Sequence, residues 1–401
     1  MASLLKPDSE SAASEIVREH FRKCKPLRIA GGGTRPVGNS VDAAQTLSTG
    51  GLSGITLYEP GALTLVAEAG TSLETIVDAL AAEGQHLPFE PADYRALLGT
   101  RGNSTIGGVV AAGVSGPRRI QAGSTRDSLI GVRFVSGEGE IIKNGGRVMK
   151  NVTGYDLVKL MCGSHGTLGI LTEVSFKLLP RPQATGTVMV TGLDDRAAVT
   201  ALLKALGSPF DVTGAAHLQK GDDGKPLTLI RCEGLPESVG YRTGRLKDML
   251  APMLPASAEL AIESDPARNA GIWKQVRDVD PFAARKGGVW RLSVKPSDGP
   301  DVVSEIAGKL GCEALYDWGG GLVWLLADAA DGEAAAVIRG AVDACGGHAT
   351  LFRHNTPGNG SVETFHPEQP RIAAISQNLR RQFDPAGILN PGLMSRVSEQ
   401  A

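Results

Sequence analysis

The stretch LLGTRGNSTIGGVVAAGVSGPRRIQAGSTRDSLIGVRFV, residues 97–135, decides the fold of this chain. It contains eight glycines, yet apolar runs that predict strands bracket it, so it differs from a flexible linker. Glycine lacks Cβ and adopts positive φ without strain, so main-chain N–H groups here can line a surface that a flat or anionic ligand contacts directly. We therefore expect a large nucleotide cofactor to lie against this backbone.

Asp127 lies in the same stretch, just before the apolar run LIGVRFV. A carboxylate at that position can cap a turn, or it can accept a hydrogen bond from a ligand hydroxyl. Sequence spacing leaves both roles open.

Two further clusters of small residues lie in the first 180 residues. The strand pattern PLRIA runs into Gly31-Gly32-Gly33-Thr34-Arg35, which can be a phosphate-binding loop or a plain tight turn. The dinucleotide fingerprint G-x-G-x-x-G does not fit, because Pro36 occupies the position of its last glycine. The third cluster, GSHGTLGI at residues 163–170, leads into the strand pattern LTEVSFKLLP. We predict that the three clusters converge on one ligand groove.

Composition narrows the classes of function. The 401-residue chain has a formal net charge of -2, which gives no reason to expect nucleic acid or an anionic membrane as a partner. No run reaches about 18 apolar residues and the N-terminus lacks a signal-peptide pattern, so we expect a cytoplasmic protein without a membrane span. The five cysteines never form a C-x-x-C pair, which disfavours a local iron–sulfur or zinc site.

Residue periodicity predicts mixed helices and strands in residues 1–180. Apolar residues at helical spacing predict a helix from Ser9 to Lys23, and residues 47–70 predict two strands joined at Glu59-Pro60-Gly61. The segment Thr71-Ser72-Leu73-Glu74 has a capping-box pattern and predicts the start of a helix that stops at Gly84. A hairpin with its turn at residues 137–139 follows the glycine-rich stretch.

The segment Pro180-Arg181-Pro182 predicts a domain boundary. Beyond it, the strand patterns TVMVTG, LTLIRC, VWRLSVKP and LVWLLA alternate with helical patterns, which favours a second α+β domain with an antiparallel sheet. Trp290, Trp318 and Trp324 fall in or beside these strands, where they can pack in the core or form a substrate wall. A helix from residue 371 to 383 then runs into a rigid tail.

The order of these motifs resembles that in flavoproteins of the vanillyl-alcohol oxidase type. The matching segments are GGGT, TIGGVVAAGVSGPRR, GSTRDSLIG, MKNVTGYDL, GSHGTLGILTEVSFKLLPRP and FDPAGILNPG. The segments GGVWRLSVKPSD, DWGGGLVWL and GGHATLFR resemble more closely the family of FAD-binding E subunits of bacterial glycolate oxidase (glycolate dehydrogenase).

The resemblance implies an α+β chain. A PCMH-type FAD-binding domain of two α+β subdomains would occupy residues 1–180, and an α+β cap domain with an antiparallel sheet would occupy residues 181–370. A C-terminal helix and tail, residues 371–401, would return toward the flavin.

The same resemblance implies residues that bind FAD non-covalently. Gly31, Gly32, Gly33 and Thr34 would present N–H groups to the diphosphate. The second side would be lined by Thr105, Ile106, Gly107, Gly108, Ala112, Gly116, Gly123, Ser124 and Asp127, and Gly169 and Ile170 would touch the adenosine or the flavin edge. Arg35 departs from the family pattern, because many relatives have a small serine there, and its guanidinium can pair with phosphate or face solvent.

Catalytic relatives bind a divalent metal through histidines and a carboxylate of the cap domain, with an H-x-G-D-G-N-x-H segment. The nearest segment here, RHNTPGNGSVETFH with His354 and His366, lacks the aspartate and has a different spacing, so we predict no metal site. Arg291 and Arg353 are candidates for bidentate binding of a substrate carboxylate, and a surface or salt-bridged role is the alternative for each.

The resemblance implies an FAD-binding subunit of a complex that oxidises glycolate to glyoxylate and that carries or relays electrons through FAD. A second FAD-binding subunit and an iron–sulfur subunit would be its partners, in the cytoplasm or at a membrane through those partners. Two alternatives stay open: a non-catalytic structural or assembly subunit of that complex, and a stand-alone FAD-dependent 2-hydroxyacid oxidoreductase.

Overall fold

The structure is a computed structural model that describes residues 3–146, 154–355 and 362–395. Residues 149–153 of the MKNVTGYDL segment and residues 356–361 of RHNTPGNGSVETFH lie outside the described residues. The helices are α1 (Glu10–Arg22), α2 (Leu73–Ala82), α3 (Arg95–Leu98), α4 (Ile106–Ala112), α5 (Arg119–Ala122), α6 (Thr125–Ser128), α7 (Leu157–Met161), α8 (Asp195–Leu206), α9 (Pro236–Leu250), α10 (Pro266–Asp278), α11 (Asp280–Ala283), α12 (Gly299–Ala307), α13 (Asp331–Ala344) and α14 (Pro370–Phe383). The strands are β1 (Ser3–Leu5), β2 (Leu27–Ala30), β3 (Gln45–Ser48), β4 (Ile55–Glu59), β5 (Thr64–Glu68), β6 (Gln85–His86), β7 (Leu129–Val135), β8 (Ile141–Gly145), β9 (Ile170–Lys177), β10 (Leu179–Pro180), β11 (Ala184–Thr191), β12 (Val212–Leu218), β13 (Leu227–Gly234), β14 (Glu259–Glu263), β15 (Gly288–Ser293), β16 (Cys312–Asp317), β17 (Leu322–Ala327) and β18 (His348–Arg353).

A parallel sheet in the order β1-β3-β2 forms the first unit, together with α1. The Ser9 hydroxyl caps α1 by accepting from the N–H of Ala12. The C-terminal tail completes this unit, because the N–H of Leu27 donates to the carbonyl of Ile388 at 2.8 Å and the N–H of Asn390 donates to the carbonyl of Leu27 at 3.0 Å. The two ends of the described chain therefore fold together.

An antiparallel sheet in the order β4-β5-β9-β7-β8 forms the second unit. The strand pairs predicted around Pro60 and around residues 137–139 are both present. Buried side chains of α2 and α4, among them Ile76, Leu80 and Val109, belong to the same hydrophobic core as Leu65 of β5. These two units, with the short pair β6 and β10, make up what is called the N-terminal half below, residues 3–180.

The cap of α2 differs from the prediction. The Ser72 hydroxyl accepts from the N–H of Thr75 at 3.0 Å, whereas the Thr71 hydroxyl donates to the carbonyl of Glu68 at 2.7 Å. The helix therefore begins one residue later than the Thr71 capping box implies.

An antiparallel sheet of eight strands, β14-β11-β13-β12-β16-β17-β15-β18, follows β10. The four strand patterns of the sequence correspond to β11, β13, β15 and β17, which confirms the antiparallel sheet. The buried strand β12 was missed, because all seven of its residues are buried and it shows no alternation of polar and apolar residues. The divisions at residues 180 and 370 stay predictions.

The hydrophobic core runs from the N-terminal half into the large sheet. One cluster contains Leu65 and Val174 of the five-stranded sheet together with Leu229 and Trp324 of the eight-stranded sheet. Trp290 and Trp324 are 0% and 1% exposed, so these two tryptophans pack in the core. Apolar packing therefore holds the eight-stranded sheet against the N-terminal half, and polar groups at this boundary are enclosed on both sides.

Candidate functional site

A groove of about 380 Å³ lies over the loop that follows β2. Seven of the predicted cofactor residues line it: Gly31, Gly32, Gly33, Thr34, Thr105, Gly108 and Ala112. Two of the three glycine-rich clusters thus meet in the groove, and His165 of the third cluster also lines it. The predicted convergence of the clusters is therefore present in the structure.

Two positions of the loop from Gly31 to Thr34 require glycine. A Cβ atom on Gly32 would lie 1.6 Å from the carbonyl oxygen of Asn103, and Gly33 has a φ of +67°. Among the described residues, no hydrogen-bond acceptor contacts the main-chain amides from Gly31 to Thr34. Free amides on a concave glycine loop are the usual protein ligands of a phosphate group.

Asn390 of the C-terminal tail closes one end of the groove. Its side-chain oxygen accepts from the N–H of Ile29 at 2.8 Å, and its side-chain NH₂ donates to the carbonyl of His165 at 2.9 Å. Asn390 therefore ties the phosphate-loop strand to the third glycine cluster. The sequence pattern places Asn390 in a rigid tail and gives no sign that it belongs to the site.

A second cavity of about 110 Å³, called the chamber below, adjoins the groove. Arg35, Val37, Ala112 and His165 line both cavities. The remaining walls of the chamber are Tyr94, Gly113, Val114 and Ser115 of the N-terminal half, and Arg291, Thr350, Phe352 and Phe365 from the part of the chain beyond it. The chamber thus lies between the N-terminal half and the eight-stranded sheet.

Arg291 and Arg353, the two predicted carboxylate-binding candidates, occupy different environments. Arg291 faces the chamber, and its guanidinium carbon lies 5.3 Å from the ring centre of Trp318. No carboxylate lies within 4 Å of Arg291 in the described part of the chain, and burial lowers the pKa of its guanidinium. Arg291 is therefore placed to bind an anion in the chamber.

Arg353 lies outside the chamber and acts as a structural anchor. Its guanidinium donates to main-chain carbonyls of five residues, at distances from 2.7 to 3.3 Å: Leu97, Phe282, Ala283, Arg285 and Gly287. These bonds use the donors that a substrate carboxylate would need. The geometry thus contradicts a carboxylate-binding role for Arg353.

Arg35 lies at the junction of the groove and the chamber. One terminal nitrogen donates to the Ser104 hydroxyl at 2.6 Å, and the buried Nε has no hydrogen-bond partner among the described residues. Burial lowers the pKa of this guanidinium as well. Arg35 and Arg291 are thus two partly buried guanidinium groups in adjoining cavities, and neither has a carboxylate within 4 Å among the described residues, which favours an anionic ligand.

His165 and Tyr94 complete the polar lining of the chamber. Burial lowers the pKa of His165 to about 4, so its imidazole is neutral at pH 7. Burial raises the pKa of Tyr94 to about 12, so its phenol keeps its proton. The Tyr94 ring is packed against the rings of Trp324 and Phe352, at 5.4 and 4.9 Å. Sequence reasoning missed both residues; the signal for His165 was its position between Gly163 and Gly166.

Eight predicted cofactor residues do not line either cavity: Ile106, Gly107, Gly116, Gly123, Ser124, Asp127, Gly169 and Ile170. Ile106 and Ile170 are fully buried core residues. The Asp127 carboxylate accepts from both the N–H and the hydroxyl of Ser124 at 2.7 Å, which is the turn-capping alternative. Contact of these eight residues with a cofactor stays a prediction.

Ion pairs and a tryptophan fasten the large sheet to the N-terminal half beside the chamber. Arg231 pairs with Glu90 at 2.8 Å, and Glu90 also accepts from the N–H of Arg118 at 2.8 Å. The indole N–H of Trp318 donates to the carbonyl of Gly116 at 3.1 Å, and Arg119 stacks 4.2 Å from the Trp318 ring. These contacts fix the position of the Arg291 strand relative to the glycine loops.

The histidines of RHNTPGNGSVETFH contact different aspartates. His354 pairs with Asp331 at 3.0 Å and His366 pairs with Asp343 at 2.8 Å. Within residues 3–146, 154–355 and 362–395, no group of three or more His, Cys, Asp or Glu side chains is arranged to hold a metal ion.

Comparisons with known proteins agree with this geometry. A family model of an FAD binding domain matches residues 1–145. The glycolate oxidase subunit GlcE of Escherichia coli (strain K12) is 35% identical over 388 residues, which cover 96% of this chain and 97% of that protein. The chain belongs to the GlcE family. Its expected cofactor, FAD, is thereby confirmed.

Two further comparisons extend beyond the GlcE family. The mitochondrial D-2-hydroxyglutarate dehydrogenase of Rattus norvegicus is 25% identical over 427 residues, which cover 97% of this chain and 77% of that protein. A solved structure of 4-ethylphenol oxidase from Gulosibacter chungangensis superposes with a TM-score of 0.70 at 14% identity, covering 99% of this chain and 90% of that one. The fold of the GlcE-family chain is therefore the expected PCMH-type flavoprotein fold, in the α+β class.

The helices of the described residues were also compared with the length of a bilayer. None of them combines the length and the apolar composition that a membrane span requires.

Proposed function

We propose that this GlcE-family chain is the FAD-binding subunit of a complex that oxidises glycolate to glyoxylate, and that it carries electrons through FAD. Its partners in this proposal are a second FAD-binding subunit and an iron–sulfur subunit. The E. coli relative supports the proposal, because it is named a glycolate oxidase subunit. The observation that carries it is the pair Arg35 and Arg291 in adjoining cavities, since neither guanidinium has a carboxylate within 4 Å in the described part of the chain.

The groove fits the diphosphate of FAD. Gly31, Gly32, Gly33 and Thr34 line it, and their main-chain amides have no protein acceptor among the described residues. Glycine lets this loop pack closely on the next wall, since a Cβ on Gly31 would lie 2.5 Å from the Thr105 hydroxyl. Arg35 at the end of the groove supplies a positive charge next to those amides. Together these groups can bind and neutralise the diphosphate.

The chamber fits a small carboxylate beside the flavin. Arg291 can bind a carboxylate through two parallel N–H donors, and the apolar rings of Phe352 and Phe365 exclude water around it. The neutral imidazole of His165 can accept a hydrogen bond from the substrate hydroxyl. When bound, FAD supplies the acceptor for the two electrons that glycolate loses as it becomes glyoxylate.

The test is a visible absorption spectrum of the purified chain, recorded anaerobically before and after glycolate is added. We expect bound FAD in the isolated chain, and bleaching by glycolate when the two partner subunits are present. An FAD-containing complex that glycolate does not bleach would refute the proposed reaction. Bleaching of the isolated chain would favour the stand-alone oxidoreductase, and a colourless chain in an active complex would favour the assembly subunit.

A further inference from the structure

One wall of the chamber comes from a segment outside the helices and strands. Residues 362–366, called the strap below, lie between β18 and α14, and Phe365 of the strap lines the chamber. The strap follows the outer edge of β18, because the N–H of Leu351 donates to the carbonyl of Thr364 at 2.8 Å. The eight-stranded sheet therefore carries Phe365 at its edge.

Hydrogen bonds to both parts of the fold hold the backbone of the strap. The N–H of Thr364 donates to the side-chain oxygen of Asn39 at 2.9 Å, and Asn39 lines the groove. On the other side, the Arg339 guanidinium of α13 donates to the carbonyls of Glu363 and Phe365, to the latter at 3.1 Å. The position of Phe365 is thus set by the glycine-loop side and by the large sheet together.

The Phe365 ring differs from the other aromatic rings of the chamber. Tyr94 and Phe352 pack with Trp324 in the hydrophobic core, so a shorter side chain at either position would open the core. In the described part of the chain, Phe365 belongs to no hydrophobic core cluster, and its ring lies edge-on to that of His165 at 5.1 Å. A large apolar ring outside the core, fixed by its backbone at a cavity wall, is placed to limit what the cavity holds.

The chamber is small enough for one wall residue to decide what fits. Its volume of about 110 Å³ corresponds to a few water molecules, at about 30 Å³ each, so it holds a ligand of few heavy atoms. In the proposed binding mode, Arg291 binds the carboxylate and His165 accepts from the hydroxyl of the substrate. Because Phe365 contacts His165, a substituent on the hydroxyl-bearing carbon would come close to the Phe365 ring.

We propose that Phe365 sets the upper size limit of the acid in the chamber, so that a two-carbon 2-hydroxyacid fits and acids with a longer side chain are excluded; this inference rests on the proposed function. A well-packed apolar wall discriminates by about 10- to 200-fold for one methylene group. Replacing Phe365 by alanine removes the ring and makes room for such a group.

The experiment measures binding of two acids to the FAD-loaded full chain by isothermal titration calorimetry. Oxalate has two carbons and 2-oxobutyrate has four, and neither carries the hydroxyl-bearing C–H group that the proposed reaction oxidises. We expect Phe365→Ala to raise the affinity for 2-oxobutyrate at least about tenfold and to change that for oxalate less than about threefold. The matched control is Phe210→Ala, since Phe210 is a partly buried phenylalanine on another irregular segment and does not line the chamber. It should leave both affinities unchanged.

Phe365→Trp changes the wall in the opposite direction and protects against a folding defect in the alanine variant. We expect it to weaken oxalate binding at least about tenfold, while FAD content and the urea midpoint report on the fold of each variant. An unchanged ratio of the two affinities in Phe365→Ala, an equal loss of both, or wild-type oxalate affinity in Phe365→Trp would overturn the inference. The proposed function would then still stand, provided that the wild-type chain binds oxalate and Arg291→Met weakens that binding. A wild-type chain that binds no oxalate would refute the proposed chamber chemistry together with the inference.

Discussion

Replacing Arg291 by methionine should strengthen the fold and weaken anion binding at the same time. Methionine keeps most of the volume of the side chain but removes a charge that has no carboxylate within 4 Å among the described residues. Burial already lowers the pKa of this guanidinium, which shows that its charge is poorly solvated. If Arg291 served only to pack against its neighbours, Arg291→Met would instead lower the stability of the protein.

The changes in unfolding and binding free energy distinguish an anion-binding role of Arg291 from a packing role. Losing the contact with Trp318 costs about 0.5–1 kcal/mol, whereas removing a desolvated charge without a close partner returns about 1–3 kcal/mol, so the free energy of unfolding should rise by about 1 kcal/mol. Arg291→Met also removes the charged hydrogen bonds to a bound carboxylate, which contribute about 1.5–3 kcal/mol to the binding free energy. Their loss corresponds to about 10- to 150-fold weaker binding.

The assay uses oxalate, a carboxylate of the size of glycolate with no C–H bond to oxidise, titrated into the FAD-loaded chain and followed by the flavin spectrum. Urea unfolding of the same samples gives the stability. Arg353→Met is the matched control, because it removes bonds to five carbonyls and should cost about 3 kcal/mol of stability. Unchanged oxalate affinity in Arg291→Met, or lower stability, would refute the assignment of Arg291 to the ligand.

Three further substitutions test the groove and the domain contact. Gly32→Ala places Cβ 1.6 Å from the Asn103 carbonyl oxygen and should lower FAD affinity at least about tenfold by equilibrium dialysis, whereas Gly61→Ala, whose Cβ meets open space, should not. Asn390→Gly keeps the positive φ of 45° but loses two side-chain hydrogen bonds, so urea unfolding should show a loss of about 1–3 kcal/mol. Burial raises the pKa of Asp317 to about 7, above its unfolded value, so the folded state favours the protonated acid and stability falls as pH rises from about 4 to about 7. Asp317→Asn should flatten that fall, which amounts to up to about 3 kcal/mol between pH 5 and pH 8, in unfolding free energies from urea titrations at these two pH values, and an unchanged slope would show that another group causes it.

The sequence predicted a strand at Arg291 and none at Arg353, and it did not predict the faces on which the two arginines lie. Successive side chains of a strand point to opposite faces. On β18, Thr350 and Phe352 line the chamber, whereas Leu351 and Arg353 point away from it, and Leu351 is in the core. On β15, Arg291 lies between two core residues and faces the chamber opposite Thr350. Which face is buried depends on packing between distant segments, and local periodicity does not contain that information.

Local chemistry predicted the glycine loop well. The motif G-G-G-T after a strand left a phosphate-binding loop and a tight turn open, and the structure places all four residues in the groove. His165, Tyr94 and Asn390 could not be found in this way. Each is a single polar residue whose role depends on the tertiary neighbours that bury it, and each is common in ordinary turns and cores.

The position of the two guanidinium groups shows how the parts of the fold depend on each other. Arg35 belongs to the glycine loop, but Arg291 and the Thr350 and Phe352 wall come from the eight-stranded sheet. The family model of the FAD binding domain covers residues 1–145 and so includes the diphosphate loop and only one wall of the chamber. Arg231, Glu90 and Trp318 fasten the eight-stranded sheet to the N-terminal half, so the spacing between Arg35 and Arg291 depends on this contact as well as on the glycine loop. The large sheet therefore supplies one wall of the chamber, and a flavin bound beside that wall would feel the charge of Arg291.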